Sequence, residues 1–337
     1  MSKIVQMNLV LLAVCFILSC NTDTKKDKNN EVMLSDPLPS FNTSEAKKNI
    51  IDFVTSVTDS TSTKFVKKEN RIVVFDNDGT LWVEQPIPSQ LFFAFDRIQE
   101  LAKNNPDWEH KMPFKAVLEE DTEAISKLHK KDLVEIVGTA HAVDNVTNFD
   151  AIVNNWLKTA KHPILNRNYT QLVYKPMLEL LNYLRAKDFT IYIVSGGSQE
   201  FMRAWAPEIY GIPKKNIIGS TFEREVVEKG DTISIAQTKN LEFFDDHQGK
   251  VVAIDKFIGQ KPIMIVGNSD GDLEMMKYSD TNNPLPTFML YLDHTDGERE
   301  FLYTKNTPAG KLMEGKKVAK ERNWTIINMK TDWKTVF

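Results

Sequence analysis

The sequence predicts an α/β protein built on a doubly wound parallel sheet, and two observations carry this prediction. Short apolar runs rich in β-branched residues alternate along the chain with longer stretches of helical periodicity, which is the pattern of a parallel sheet with helices on both faces. Three of these runs end in small polar segments, "DNDGT", "SGGS" and "GNSDGD". Because ligands bind at the carboxyl ends of parallel strands, we expect these segments to meet at one edge of the sheet.

The individual elements follow from the local pattern. Ser44 suits the N-cap of a helix in "SEAKKNIIDFVTSVTD", where apolar residues recur at helical spacing. Four short apolar runs are predicted as strands: 71–75, 189–197, 262–267 and 287–292. The segments "MLELLNYLRAKD", "SQEFMRAWAPEIYG" and "GKVVAIDKFIG" are predicted as helices that flank these strands.

A long helical segment separates the first strand from the second. Its clearest helical patterns are "SQLFFAFDRIQELAK", "AISKLHKKDLVEIV" and "FDAIVNNWLKTAK", and it contains few strand signals. We therefore predict a helical insert at 83–171, with 44–82 and 172–337 forming the α/β core.

The N-terminal segment, residues 1–20, has the form of a lipoprotein signal peptide. Lys3 precedes an apolar run, Asn8–Cys20, that is shorter than the roughly 20 residues needed to cross a bilayer. The run ends in "ILSC", which resembles a bacterial lipobox; cleavage there leaves Cys20 as an N-terminus carrying acyl chains such as palmitate. The alternative is that Cys20 merely ends the apolar segment. The polar stretch 21–43 predicts a disordered tether, so we expect an exported, lipid-anchored protein that faces the periplasm or the cell exterior and does not span the membrane.

Composition narrows the class of partner. The 337 residues are 42% hydrophobic and 26% charged with a net charge of -4, and no basic stripe is present; nucleic-acid binding is not expected. The two cysteines, Cys15 and Cys20, both lie in the N-terminal segment. A core of this size does not need a disulfide. The sequence does not indicate an oligomeric state.

The two carboxylates of "DNDGT", Asp76 and Asp78, are expected to repel each other unless a cation or a reaction uses them. A calcium loop of the EF-hand type requires Gly at position 6, whereas the Gly comes at position 4 counted from Asp76. Glycosidase carboxylates flank a sugar about 5 Å or more apart, and an aspartic protease has Asp-Thr-Gly in that order. Phosphoryl transfer fits better, because one carboxylate can attack phosphorus while the other serves as acid and base.

Together with a later lysine, the three polar segments resemble the four-motif set of the haloacid dehalogenase superfamily, in its phosphoserine-phosphatase-like branch. The likeness rests on "DNDGT" as motif one, "SGG" as motif two, a later lysine as motif three and "GNSDGD" as motif four, and covers about 71–272. "YLDHTDGEREF" and "WTIINMKTDWKTVF" resemble the C-terminal part of exported members. The resemblance implies a phosphomonoesterase that acts on a small phosphorylated metabolite through an aspartyl-phosphate, with Mg²⁺ as cofactor. Dehalogenases of the superfamily lack the second Asp, since they need no acid for a leaving oxygen.

The resemblance also implies a role for each matched residue. Asp76 is expected to be the nucleophile and a Mg²⁺ ligand, and Asp78 the general acid and base with its backbone carbonyl on the metal. Ser195 is expected to bind a phosphate oxygen, assisted by N–H groups around Gly196 and Gly197.

Motifs three and four leave alternatives open. Lys250 and Lys256 are both candidates for the motif-three lysine. The resemblance favours Lys250, because it follows a Gly and opens a helix, which is where phosphoserine-phosphatase-like members have theirs. Many members have Asp where this chain has Asn268. Asn268 and Asp272 are predicted metal ligands; Asp272 can instead serve as a partner of Lys250, and Asp270 is a third candidate.

The helical insert resembles the cap that such enzymes close over a substrate. At its start, either Glu84 and Trp82 contact a cationic group of the substrate, or Trp82 packs between core and cap and Glu84 is solvated. His294 is expected to be structural or solvated. The alternative function, a catalytically weak or inactive lipoprotein that uses the fold as a binding module, is supported only by the missing acid of motif four.

Overall fold

A seven-stranded sheet forms the centre of the protein in the computed structural model, which describes residues 36–337. The strands in chain order are β1 Ile72–Phe75, β2 Thr190–Ser198, β3 Ile217–Lys229, β4 Thr232–Phe243, β5 Met264–Gly267, β6 Phe288–Asp293 and β7 Thr325–Asn328. The predicted signal peptide, Cys20 and most of the predicted tether lie outside the described residues. No helix within 36–337 is both long and apolar enough to cross a membrane.

The strand order is β4-β3-β2-β1-β5-β6-β7. All neighbouring pairs are parallel except β3 and β4, which are antiparallel. From β1 the chain builds outward through β2, β3 and β4 on one side, and then through β5, β6 and β7 on the other. The direction of winding therefore changes between β1 and β5, where the carboxyl ends of a doubly wound sheet open a crevice for ligands. The predicted fold class is confirmed.

Helices connect the strands and cover the sheet. In chain order they are α1 Glu45–Thr58, α2 Ser89–Ala102, α3 Phe114–Leu118, α4 Thr122–Ser126, α5 Lys130–His141, α6 Val146–Thr159, α7 Lys175–Ala186, α8 Gln199–Tyr210, α9 Gln248–Ala253, α10 Leu273–Asp280, α11 Glu314–Glu321 and α12 Met329–Asp332. As predicted, α1 begins after Ser44, whose side chain accepts a hydrogen bond from Lys47 N.

Alternate residues of the central strand β1 pack on opposite faces of the sheet. Val73 and Phe75 join the apolar residues of α1, α7 and α8 in the larger core, whereas Val74 joins those of α9, α10 and α11 in a smaller one. All four residues of β1 are buried. This double burial explains why the strand is a continuous apolar run and not an alternating one.

The five helices α2 to α6 lie in sequence between β1 and β2. Helices α2, α3 and α5 share a small apolar cluster of their own, which includes Ile98, Phe114 and Ile136. Phe93 and Phe149 tie α2 and α6 to the larger core. The single helix expected around "AISKLHKKDLVEIV" is two helices, because α4 ends at Ser126 and α5 starts afresh with the Asp132 carboxylate accepting a hydrogen bond from His129 N at 2.8 Å.

Three strands were not predicted from the sequence: β3, β4 and β7. β3 and β4 form a long antiparallel hairpin that turns at Gly230, where φ is +59°. Gly138 of α5 packs directly on β4, since a Cβ built there lies 2.1 Å from the carbonyl oxygen of Lys239. Many hairpin side chains are exposed and charged, so this segment lacks the apolar run that marks the inner strands.

Candidate active site

The motif-one segment turns sharply at the carboxyl end of β1. Asp76 follows the last strand residue, and its backbone N–H donates to the Val266 carbonyl of β5 at 2.9 Å. The Asn77 carbonyl accepts hydrogen bonds from Thr80 N at 3.1 Å and Leu81 N at 2.8 Å. These bonds close a tight turn that places Asp76 and Asp78 at the winding switch between β1 and β5.

Gly79 is required at the apex of this turn. Its φ is +71°, in the left-handed region that other residues rarely adopt. A Cβ at this position lies 2.1 Å from Nδ2 of Asn268 and 2.7 Å from Oε2 of Glu84. The glycine therefore lets the motif-one loop lie directly against the motif-four side chain.

A buried lysine joins motif one to motif four. Lys250 Nζ donates to Asp76 Oδ1 at 2.7 Å and to Asp272 Oδ1 at 2.6 Å, and all three residues are buried. The other oxygen of Asp272 accepts from the backbone N–H groups of Asn268 and Ser269, both at 3.0 Å. In this geometry Asp272 holds the lysine and the motif-four backbone, which is the partner role considered for it above.

Lys256 and Asp270, the alternative candidates, have other neighbours, although Asp270 lines the same cavity as Asp76 and Lys250. Lys256 is exposed, with Nζ 5.8 Å from the ring centroids of Phe243 and Phe257. Oδ1 of Asp270 accepts from Gly315 N at 2.7 Å and so faces the start of α11. The structure thus places Lys250, and not Lys256, beside the predicted nucleophile.

The charges of Lys250, Asp76 and Asp272 shift the pKa values of Lys250 and Asp76. Burial disfavours the Lys250 ammonium, but the carboxylates of Asp272 and Asp76 outweigh that effect and raise its pKa. Burial raises the pKa of Asp76 to about 7, and the Lys250 ammonium keeps it from rising further. The lysine is therefore a fixed positive charge beside Asp76.

Asp78 is held by the indole of Trp82. Nε1 of Trp82 donates to Asp78 Oδ1 at 2.9 Å. Burial raises the pKa of Asp78, and this hydrogen bond opposes the shift. The Trp82 ring is fully buried and stacks on Trp205 with centroids 4.3 Å apart, so it packs between helices and does not form a face of a substrate pocket. The sequence offered the packing role for Trp82 but not the contact with Asp78.

The motif-two residues lie next to Asp78. A Cβ built on Gly197 lies 3.2 Å from Asp78 Oδ2 and 3.8 Å from Ser195 Oγ. Ser195, Gly196 and Gly197 end β2, and α8 starts immediately afterwards with Ser198 as its N-cap. The backbone of this strand end therefore lies beside the two acids, and the Gly197 N–H donates to Ser195 Oγ at 3.4 Å.

A chain of hydrogen bonds from the helical insert holds the motif-two loop, and the sequence did not predict it. Gln90 Oε1 accepts from Ser198 N at 2.7 Å, and Gln90 Nε2 lies 3.1 Å from Nε2 of His141. His141 Nδ1 lies 2.7 Å from the Val137 carbonyl, an obligate acceptor. Nδ1 therefore carries the proton and Nε2 accepts from Gln90. Burial lowers the pKa of His141 to about 4, which keeps it neutral.

Motif four presents an amide to the motif-one loop. Asn268 Oδ1 accepts from Thr80 Oγ1 at 3.0 Å, and Asn268 Nδ2 donates to Glu84 Oε2 at 3.3 Å. Glu84 is 8% exposed, so it is not the solvated residue considered above. Burial, and then the carboxylates of Asp78 and Asp76, raise its pKa well above the usual range.

The donor set fits a magnesium ion. The described residues contain no cluster of three or more His, Cys, Asp and Glu side chains arranged for a metal. However, the Asp76 carboxylate, the Asp78 carbonyl and the amide oxygen of Asn268 are hard oxygen donors of the kind that Mg²⁺ prefers, and Mg²⁺ commonly keeps several waters. The fixed amide orientation leaves the oxygen of Asn268 on the side of the motif-one loop.

His294 was expected to be structural or solvated, and it is buried against motif one. Its Nε2 donates to the Gly79 carbonyl at 2.6 Å, and its Nδ1 lies 3.0 Å from Glu300 Oε2. Tyr303 stacks on the imidazole with centroids 3.8 Å apart. The C-terminal part of the chain therefore supports the motif-one turn. No local sequence signal pointed to this contact, because the two residues are far apart in the chain.

A cavity of about 570 Å³ opens above these groups. Its floor contains Asp76, Asp78, the motif-two segment 195–197 and Lys250, while α5 and the β3–β4 hairpin line its other end. This size is typical of a pocket for a small molecule. All four sequence motifs thus converge on one concave site at the predicted edge of the sheet.

Residues 71–280 match the family model of the haloacid dehalogenase-like hydrolases. The chain belongs to this family. The match spans β1 to α10 and so includes every motif of the site, and the predicted hydrolase family is confirmed. No curated protein matches the sequence.

Solved structures that resemble this haloacid dehalogenase-like hydrolase are distant from it in sequence. A protein of unknown function from Bordetella pertussis Tohama I is 13% identical, with a TM-score of 0.50 over 77% of this chain and 99% of its own. A functionally unknown protein from Anaerococcus prevotii DSM 20548 is 14% identical, with a TM-score of 0.50 over 78% and 89%. A phosphoserine phosphohydrolase-like protein from Francisella tularensis is 17% identical, with a TM-score of 0.39 over 77% and 97%. At such identities the two likenesses with a TM-score of 0.50 concern the fold alone.

Proposed function

We propose that this hydrolase is a Mg²⁺-dependent phosphomonoesterase that works through an aspartyl-phosphate. The observation that carries the proposal is the Asp76–Lys250–Asp272 group at the floor of the cavity, with the second carboxyl of Asp78 beside it. The group combines a nucleophile, a fixed cation for the phosphoryl oxygens and an acid, which are the parts that hydrolysis of a phosphomonoester requires.

In the first step the phosphoryl group binds at the floor of the cavity. Ser195 Oγ and the backbone N–H groups of Gly196 and Gly197 donate to its oxygens, and Lys250 neutralises part of its charge. A carboxylate oxygen of Asp76 attacks phosphorus, and the bond from phosphorus to the ester oxygen breaks. Asp78 gives its proton to that oxygen, so the alcohol leaves neutral.

In the second step Asp78, now a carboxylate, takes a proton from a water molecule as this water attacks phosphorus. The acyl-phosphate bond breaks, which restores Asp76 and releases inorganic phosphate. The hydrogen bond from Trp82 keeps Asp78 in one orientation through both transfers. When bound by Asp76, the Asp78 carbonyl and Asn268, Mg²⁺ supplies positive charge that offsets the repulsion between the carboxylates and the phosphate.

Hydrolysis of an aryl phosphate by the full-length chain in detergent, with Mg²⁺ or with a chelator, tests this function. Asp76→Asn removes the nucleophile in a nearly isosteric change, so we expect turnover to fall by at least about a thousandfold while the fold persists. Asp255→Asn, the same change at an exposed position, is the matched control and should leave turnover unchanged. Full activity of Asp76→Asn would exclude the proposed mechanism.

A binding module on this fold is the second candidate function, and Asn268 is the feature that favours it. The two candidates differ in whether phosphate is released. If phosphorylated ligands bind with Mg²⁺ to the unaltered chain but none is hydrolysed, the binding module is correct and the phosphatase is not.

We also propose that the protein is exported and anchored to a membrane through a lipid on Cys20. Support comes from the sequence alone: the apolar run Asn8–Cys20, its "ILSC" ending and the polar stretch that follows. Cys20→Ala should abolish metabolic labelling with palmitate and shift the chain from the membrane fraction or block its processing. Cys15→Ala, five residues earlier in the same segment, is the control and should retain the label. A labelled Cys20→Ala protein would contradict the anchor.

A further inference from the structure

The cavity above the active site has two chemically different ends. The floor carries the charged and polar groups of the four motifs, as described above. The opposite end is formed by α5, the β3–β4 hairpin and the start of α2, and its lining is largely apolar. In a phosphomonoesterase the floor takes the phosphoryl group, so the opposite end faces the alcohol that leaves.

Helix α5 turns one apolar face toward this end. Leu133, Val134 and Val137 line the cavity together with Lys130 at the rim, and the spacing i, i+3, i+4, i+7 places all four on one side of the helix. Ile136 lies on another side, where it packs into the apolar cluster that α5 shares with α2 and α3. The helix therefore has a second apolar face, of which Val137 also packs against that cluster whereas Leu133 and Val134 do not.

The hairpin presents matching apolar residues. Phe222 of β3 and Leu241 of β4 are partners in the antiparallel register, so they point to the same side of the hairpin, and both line the cavity. Phe244 lies just beyond β4, and Leu91 of α2 completes this part of the lining. Three separate elements thus contribute apolar side chains to one space.

Lys130 is the charged side chain at the rim of this end, with Nζ 3.7 Å from the ring centroid of Phe244. The polar side chains between this end and the floor, Gln90 and Glu84, already have hydrogen-bond partners. Both ends of the Gln90 amide are engaged, with Ser198 N and with His141. Glu84 accepts from the Asn268 amide and is 8% exposed. A leaving group with its own ammonium and carboxylate, such as serine, would have to give up water for few unused partners here, which costs free energy.

We propose that the substrates are phosphomonoesters of apolar alcohols, with the alkyl or aryl part seated between α5 and the β3–β4 hairpin. This inference rests on the proposed function and names its substrate class. The size of the cavity agrees with it, since about 570 Å³ is far more than a phosphoryl group and a short polar stub require.

A series of n-alkyl phosphates, from ethyl to hexyl, tests the proposal with full-length protein and Mg²⁺, and phosphoserine serves as the polar comparison. Each methylene that leaves water for the apolar end should raise kcat/KM by up to about fourfold, because the alkyl group remains bound in the transition state. Hexyl phosphate should therefore exceed both ethyl phosphate and phosphoserine by at least tenfold.

Single substitutions test whether the dependence of kcat/KM on alkyl chain length arises at α5 and the β3–β4 hairpin. Val134→Asn puts an amide on the apolar face of α5, and we expect it to reduce kcat/KM for hexyl phosphate at least tenfold more than for ethyl phosphate. Glu135→Asn, an exposed position on the same helix, is the control and should keep the slope of the series. Leu241→Asn tests the hairpin side in the same way if Val134→Asn does not fold.

The outcomes separate the two proposals. A series that is flat or falls with chain length, or a preference for phosphoserine, overturns the apolar substrate class while leaving the phosphatase function intact. A slope that survives in both folded variants, Val134→Asn and Leu241→Asn, also overturns it. If none of these esters is hydrolysed, the proposed function itself is contradicted.

Discussion

Replacing Lys250 by methionine removes the cation that lies between two buried carboxylates. The lysine is 3% exposed and donates at 2.7 Å to Asp76 and at 2.6 Å to Asp272. Each charge-assisted hydrogen bond contributes about 1.5–3 kcal/mol, and removal of one partner from a buried ion group costs roughly 3–5 kcal/mol because the opposite charge stays buried. We expect Lys250→Met to lower the free energy of unfolding by about 3–5 kcal/mol.

Urea unfolding followed by circular dichroism measures this change at neutral pH, with chelator present so that bound metal does not compensate. Thermal unfolding gives a second readout, since about 2 °C per kcal/mol is typical of chains somewhat smaller than this one, and the expected shift is roughly 6–10 °C. The same variant should lose phosphatase activity, because the phosphoryl oxygens lose their fixed cation.

Lys256→Met is the matched control. It makes the same substitution in the alternative motif-three candidate, which is exposed, so we expect a change within about 0.5 kcal/mol and full activity. If Lys250→Met unfolds at the same urea concentration as the unaltered protein, the lysine is not the buried bridge described here. If instead Lys256→Met abolishes turnover, the assignment of motif three is wrong.

Three further predictions concern the surroundings of the site. Gly79→Ala should destabilise the protein by about 2–3 kcal/mol and abolish activity, because the new Cβ is strained in the left-handed region and clashes with the Asn268 amide 2.1 Å away. Gly230→Ala has a similar φ of +59° but open space around the new Cβ, so it should cost only about 1–2 kcal/mol. Equal losses of stability for the two variants in urea unfolding would contradict the clash. The pKa of His141 is about 4 in the folded protein and 6.5 when unfolded, so only the unfolded state takes up a proton on His141 between these pH values. The free energy of unfolding should therefore fall by about 3 kcal/mol as the pH falls from 6.5 to 4. A His141→Gln variant should lose this part of the pH dependence, and an unchanged profile would refute the prediction. Trp82→Phe removes a hydrogen bond that lowers the pKa of Asp78, so the alkaline limb of the pH–rate profile should move to higher pH; a limb that moves to lower pH or stays in place would contradict the contact.

Much of the catalytic floor was predictable from the sequence because it is encoded locally. Each motif is a few consecutive residues at the end of an apolar run, and the parallel sheet brings such ends together without further information. The residues Asp76, Asp78, 195–197 and Lys250 accordingly line one cavity. The strand runs β1, β2, β5 and β6 were recognisable because burial on both faces gives them continuous apolar stretches.

The β3–β4 hairpin was not predictable in the same way. It protrudes with many exposed charged residues, so neither a continuous apolar run nor a clean alternation marks it. Its contribution to the cavity, through Phe222 and Leu241, depends on how it folds over α5. The apolar end of the site could therefore not be inferred from the chain.

By itself, then, the sequence determined the fold class, four of the seven described strands, the order of the motifs and the residue types of the proposed catalytic floor, because short stretches of chain specify each of them. Only the tertiary structure decided which residues hold that floor in place. Trp82 holds Asp78, His294 holds the Gly79 carbonyl and Gln90 holds the loop at Ser198. The contacts of His294 and Gln90 join residues more than a hundred positions apart, and a hydrogen bond between distant segments depends on the folded geometry and leaves no periodic or compositional trace in the chain.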